Sequence, residues 1–314
     1  MVPPLNGPRI QPPACDRLPR LGVGLLYSEA LSAFISDHRD AFDFLEVIPD
    51  TLWSDDPKAT APTYRDNLFA LAQLDAYASQ GIPIVLHSTG LSIGSEAAFD
   101  ASHAEHIAAW QKRFQSPWHS DHLATFRVQD AEGGEIDVGF PMPIPYDRAA
   151  LAYVAARVRR MQDAIPRPFL LENNVYYFEI PDQELTEPEF LNALCAETGC
   201  GLLLDLHNVY TNAKNHGFDS LAFLEALNLE HVVEIHIAGG HELDGVWLDS
   251  HSGVCPESVW ELLAQVLSRA TNVCGVVFEV FPTWYAELGA TRLLGELKRA
   301  RQAWVDAGKV VPCR

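Results

Sequence analysis

An α/β fold, a single-domain (β/α)8 barrel of the TIM type, is what this sequence predicts, on three observations. Eight short apolar runs recur along the chain, amphipathic helical patterns separate them, and ionisable residues gather at the C-terminal ends of the runs. The runs are continuous rather than alternating, as suits parallel strands covered on both faces. Strands alternating with helices in one chain close most readily into a barrel. A doubly wound open sheet is the alternative. No G-x-G-x-x-G follows the first run, which weakens a dinucleotide-binding version of it.

In chain order the strands are "LGVGLLY" from Leu21, "DFLEVI" from Asp43, "IPIVLH" from Ile82 and "SPWHSDH" from Ser116. They continue with "PFLLENN" from Pro168, "GLLLDLH" from Gly201, "VVEIHI" from Val232 and "GVVFEVF" from Gly275. Between the fourth and fifth, Leu151, Val154, Ala155, Val158, Met161 and Ile165 share one face at helical spacing. Before the eighth, Val259, Leu262, Leu263, Val266 and Leu267 do the same. "TEPE" from Thr186 reads as a capping box with Pro188 in the first turn, and Gly199 as the stop of that helix. Two connections are long: Leu123 to Tyr146 and Ala238 to Pro256. Both follow strands, which puts them on the rim where barrel active sites lie, as lids or binding loops.

A chain of 314 residues with 48% hydrophobic content can bury a large core. Residues 1–20 are Pro-rich without an apolar signal core and read as a disordered arm; residues 21–314 form the barrel domain. No run of about 18 apolar residues predicts a membrane span. The six cysteines are scattered with no CxxC pair, as in a cytoplasmic protein with reduced thiols. A formal charge of −20 argues against nucleic acid and anionic membrane as partners. A cationic or neutral substrate, or a metal, stays open.

The strand ends carry the chemistry. Strand 3 ends at His87 and strand 4 at His122; strand 5 gives Glu172, Asn173 and Asn174; strand 6 gives Asp205, His207 and Asn208. Strand 7 gives Glu234 and His236, the loop after it Asp249 and His251, strand 8 Glu279, and strand 2 Glu46. In a barrel all of these converge on one face. One such histidine is usually a hydrogen-bonded core residue, but this many buried charges would be costly unless a cation compensated them. Imidazole and carboxylate without cysteine suit Fe, Mn or Zn in a catalytic setting. The number of groups exceeds the needs of one ion, so two or three are expected, with Glu172 and Asp205 as bridges. His103 and His106 fall on a helix and are expected to face solvent. His38 and His231 sit near helix ends. His119 alternates with Asp121 and could point either way. His216 and His241 are expected in rim loops, as substrate contacts or supports of the ligands. "STGLSIGS" after His87 offers a weak anion cradle without the lysine of a P-loop.

Taken together, "VLHSTGLSIGS", "SDHLA", "LLENN", "GLLLDLHNVYTNAKNHGFD", "EIHIAGG" and "LDSHSG" resemble the multinuclear non-heme iron-dependent oxidases, over roughly Leu21 to Pro282. The resemblance implies a TIM barrel holding two or three irons in mixed Fe(II)/Fe(III) states. It implies O2 as co-substrate and modification of residues, often cysteine, in ribosomally made precursor peptides, with a partner protein that presents the peptide. It assigns His87, His122 and Glu172 to one iron; Glu172, Asp205, His236 and Glu279 to a second; and Asn208, Asp249 and His251 to a third. Glu46, Asn173, Asn174, His207, His216 and His241 would support these ligands or face substrate, so His207 is not itself a ligand. Two positions after Glu279, where many members carry an acid, this chain has Phe281. The alternative reading is a metal-dependent sugar isomerase or phosphodiesterase of the xylose isomerase or endonuclease IV type. A non-enzymatic metal-binding scaffold is a third.

Overall fold

The computed structural model of the chain describes residues 18–55, 64–95, 99–129, 132, 134–165 and 167–309. The expected N-terminal arm therefore falls largely outside the described residues. The barrel strands are β1 (Gly22–Leu26), β2 (Phe44–Val47), β3 (Ile84–Ser88) and β4 (His119–His122). They continue as β5 (Phe169–Glu172), β6 (Gly201–Asp205), β7 (Val232–Ala238) and β8 (Gly275–Glu279). All eight pair in parallel, in sequence order around a ring, and β1 closes it on β8. The open-sheet alternative is thereby excluded.

Alternation along each strand sorts the residues into layers. On five strands an apolar interior residue lies two positions before the polar one: Phe44 before Glu46, Val85 before His87, Leu170 before Glu172. Leu203 before Asp205 and Val277 before Glu279 complete the set. These apolar residues join Trp118 in a buried floor. Gly24 and Gly275 make room for it: a Cβ at Gly24 would stand 2.5 Å from the Phe44 ring, and one at Gly275 2.8 Å. The other faces of the strands pack on the helices in a second, larger cluster.

The outer ring contains α1 (Ser32–Asp37), α2 (Leu68–Ser79), α3 (Ala101–Phe114), α4 (Arg148–Ala164), α5 (Glu187–Thr198), α6 (Leu206–His216), α7 (Ser220–Ala226), α8 (Glu257–Arg269) and α9 (Pro282–Asp306). The apolar stripe expected on α8 is buried throughout, and that on α4 is buried at Val154, Ala155, Val158 and Met161. The capping box at Thr186 and Glu189 forms as expected, and Gly199 ends α5 at φ 70°. One boundary differs. The sixth run stops being strand at Asp205, and His207 and Asn208 lie on the first turn of α6. The cause is Asp205 itself, whose side chain caps the helix by accepting the Asn208 N–H at 2.7 Å.

Both long connections hold antiparallel ribbons, Thr125–Gln129 with Glu135–Met142 and His241–Leu243 with Val246–Leu248. The second turns through Asp244 and Gly245, both at positive φ, as a two-residue hairpin requires. It is pinned to the far end of α6. Asn215 exchanges two hydrogen bonds with the Trp247 backbone at 2.8 and 2.9 Å, and Lys214 pairs with Glu242 at 3.0 Å.

Candidate metal centre

At the C-terminal mouth of the barrel, side chains from β2, β3, β4, β5, β6, β7, β8 and the loop after β7 meet. Glu172 is central. One of its oxygens lies 3.3 Å from His87 Nε2 and 3.2 Å from His122 Nε2. The other lies 3.8 Å from His236 Nδ1. His87 is aimed by Ser120, whose hydroxyl is 3.0 Å from its Nδ1; His122 Nδ1 stands 3.3 Å from the Ser88 carbonyl. Each ring thus turns Nε2 toward the same carboxylate.

His236 is held from the opposite side. Its Nε2 lies 3.0 Å from Glu46, which leaves Nδ1 facing Glu279 at 3.2 Å. A carboxylate behind an imidazole fixes its tautomer and orientation, as in many metal sites. His251 Nε2 lies 3.3 Å from Glu279 and 3.2 Å from Asp249. Asp205 gives one oxygen to α6, while its Oδ2 is buried with no hydrogen-bond partner among the described residues. Asn208 is similar: its amide donates to the Asn173 carbonyl at 3.1 Å and its Oδ1 is left over. Asn173 itself makes two bonds to the Asp205 backbone, at 2.8 and 2.9 Å.

Among the described residues, four groups bring their ligand atoms within 4.8 Å of one another: His87, His122 and Glu172; Glu172, Asp205 and His236; Asp205, His251 and Glu279; and Glu46, His236 and Glu279. The first three share members through Glu172 and Asp205. Among the described residues, Glu172 Oε2, Asp205 Oδ2, Asn208 Oδ1, His236 Nδ1 and His251 Nε2 are buried here without a hydrogen-bond partner. That is the arrangement a cation would stabilise, and one a dry pocket could not hold cheaply. All the donors are oxygen or nitrogen, a set suited to borderline and hard divalent ions.

Electrostatics follow the burial. Desolvation pushes Glu172 well above the usual carboxylate range and Asp205 up to about 7, with Asp249 adding to the latter. Burial and the neighbouring imidazoles hold His87 well below its usual range. Burial also opposes charge at Glu279, but His236 and His251 outweigh it and bring that carboxyl down to about 2. For His236 the balance runs the other way: burial is overcome by Glu279 and Glu46, and its affinity for a proton rises.

His207 has a different place. Its Nε2 accepts the Trp247 indole N–H at 3.1 Å, so its proton sits on Nδ1 and is donated to Asp249 at 2.9 Å. With both ring nitrogens engaged, His207 positions Asp249 and is not itself within the metal-facing groups. Tyr177 supports the same residue, accepting the Asp249 N–H at 3.1 Å through its hydroxyl.

Other expectations fare variously. Asn174 gives its carbonyl to Asn212, at 2.8 Å, and helps seat α6. His216 is the last residue of α6 rather than a loop residue; it meets the Tyr176 carbonyl at 2.9 Å and stacks on that ring. His241 begins the second ribbon and touches Ser250 at 2.8 Å. His103 and His106 do not face solvent. His103 is buried, 2.6 Å from Asp50, and His106 lies 2.8 Å from Asp66, both against Trp53. His119 points away from the mouth, its ring against Phe169 on the helix side. The "STGLSIGS" loop spends its polar groups on the next connection, Ser92 accepting the N–H of Phe126 and Arg127. Sequence patterning does not single out Ser120 or Trp247. Two-residue alternation with His122 is the only signal for Ser120; nothing local marks Trp247.

The fold has solved relatives. A D-psicose 3-epimerase from Clostridium cellulolyticum H10 superposes with a TM-score of 0.56 over 93% of this chain and 100% of its own, at 12% identity. A xylose isomerase-like TIM-barrel protein from Mycobacterium smegmatis, solved with magnesium, gives 0.52 over 92% and 99%, at 14% identity. At such identities the likeness is one of fold alone. In sequence the chain is 31% identical to a "UPF0276 protein" of Caulobacter vibrioides, over 78% of this chain and 81% of that one. It is 34% identical to another from Acaryochloris marina, over 79% and 83%. The family profile described as "RiPP precursor modification enzyme MbnB/TglH/ChrH" matches residues 20–304. The chain belongs to that family, the enzymes that modify precursors of ribosomally synthesised, post-translationally modified peptides.

Proposed function

We propose that this protein is an iron-dependent, O2-using oxidase that modifies a residue, cysteine in our reading, of a ribosomally made precursor peptide. One observation carries the reading: overlapping histidine–carboxylate groups, joined through Glu172 and Asp205, lie at the mouth of a barrel in a peptide-modifying family. Two or three irons are proposed. His87, His122 and Glu172 would hold one, and Glu172, Asp205, His236 and Glu279 a second. His251, Asp249 and Asn208 would hold the third, with Asp205 and Glu279 also in reach of His251. Iron, when bound, supplies the redox chemistry with O2.

The chain's own residues do the rest. With a metal on Nδ1, Glu46 would hold the His236 proton on Nε2 and fix the ring. Ser120 does the equivalent for His87. His207 and Tyr177 hold Asp249 in place at the edge of the opening. The apolar floor of Phe44, Trp118 and Leu170 closes the site from below and keeps bulk water from that side. A partner protein presenting the peptide, and a cytoplasmic location, belong to the proposal. No helix of the described residues is long and apolar enough to cross a membrane.

The test is anaerobic loading with Fe(II), then O2 and a cysteine-bearing precursor peptide, sought among the short reading frames beside the gene. A mass change in the peptide that requires both iron and O2 is expected. Bound iron with an unaltered peptide mass would sink the proposal, and retention of magnesium or zinc in preference to iron would favour the isomerase or phosphodiesterase reading.

A further inference from the structure

The least buried metal-facing side chains are His122, Asp249 and His251, 18%, 12% and 11% exposed. They mark the open side of the centre. Each has an aromatic residue in contact with it. The Phe126 ring meets His122 edge to face at 5.9 Å and 89°. The Phe281 ring meets His251 at 4.1 Å and 84°, and its backbone N–H donates to the His251 carbonyl at 3.2 Å. Tyr177 bonds the Asp249 N–H through its hydroxyl. Phe281 is 37% and Tyr177 44% exposed, so neither is spent on the core.

We propose that Phe126, Tyr177 and Phe281 form a collar that determines substrate specificity, selecting apolar, uncharged residues on either side of the residue that enters the centre. The proposal rests on the peptide-oxidase reading and deepens it. Glu172, Asp205, His236 and Glu279 are almost fully buried beneath the more exposed His122, Asp249 and His251. An extended segment must project one side chain inward and lay its neighbours against the collar. Aromatic faces reward apolar neighbours with buried area. The exposed carboxylates Glu179 and Asp244, on the connections flanking the centre, add repulsion against an acidic flank.

The experiment compares two capped peptides, acetyl-Leu-Cys-Leu-amide and acetyl-Ser-Cys-Ser-amide, by calorimetry on the iron-loaded full chain without O2. The Leu peptide is expected to bind about tenfold tighter. In Phe281→Ser that preference is expected to fall to about twofold or less, with iron content unchanged, and in Phe281→Leu to persist. Serine suits this position structurally, because residue 281 is the N-cap of α9. Equal binding of the two peptides to the parent protein, or an undiminished preference in Phe281→Ser, overturns the collar. A thiolate-to-iron absorption band reports on the underlying reading separately. A band from both peptides without discrimination removes the collar alone; no band from either, with iron bound, removes both.

Discussion

At the scale of single residues, the centre separates side chains that face the ions from those that aim them. Asp205 and His207 sit two positions apart and test the distinction. Asn at 205 remains a good helix cap, so Asp205→Asn should leave the fold intact and remove the charge. We expect it to lose at least one equivalent of bound iron by elemental analysis. His207→Gln, which disturbs only the support of Asp249, should lose clearly less; equal losses would contradict the assignment. Most of the metal-facing set was legible because it obeys the two-residue alternation of buried strands. His103 and His106 were misread for the opposite reason. A helix pattern shows which face is polar, but not that Asp50 and the antiparallel pair Trp53–Asp55 and Tyr64–Asp66 lie over that face, Asp50 receiving His103 and Asp66 receiving His106. Trp247 was invisible because its partner His207 is 40 residues away in sequence.

Among elements, α5 and α6 show how local rules serve the site. The box at Thr186 and Glu189 starts α5; Thr186→Ala should cost about 1 kcal/mol in urea unfolding. One residue on, Glu187 is buried and its carboxyl is pushed up to about 8, against the opposing bond from Tyr146. Its folded value lies above the ordinary 4.5, so the neutral form stabilises the fold fully below that pH. The contribution fades as pH rises toward 8. Measured against Glu187→Gln, the parent should lose a few kcal/mol of stability between those limits; a constant difference would refute the burial account. The boundary of the sixth strand was the element misplaced in the sequence. An apolar run followed by Asp gives no warning that the Asp ends the strand and caps a helix in one step.

For the molecule as a whole, the barrel was readable because eight continuous apolar runs leave few ways to bury both faces. The rim was not: its ribbons are short, and their residues answer to partners on other strands. The same layering predicts a cost for losing the ions. Removing metal leaves Glu172, Asp205, Glu279 and Glu46 facing one another in a buried space. A metal-free preparation should melt about 10 °C below the iron-loaded one by scanning calorimetry. Identical melting curves would mean that the cluster holds no ion tightly.

Helix α6 begins on Asp205 and ends on the second ribbon, gripped there by Asn215 and Lys214. It is therefore a lever with its fulcrum at the barrel mouth and its long arm on the rim. A shift of the Asp205 carboxylate is expected to be carried along α6 to its far end, some 15 Å away for a helix of this size. Loading the centre should thus quiet the ribbon, which leads directly into Asp249: its amides should exchange with deuterium more slowly once metal is present.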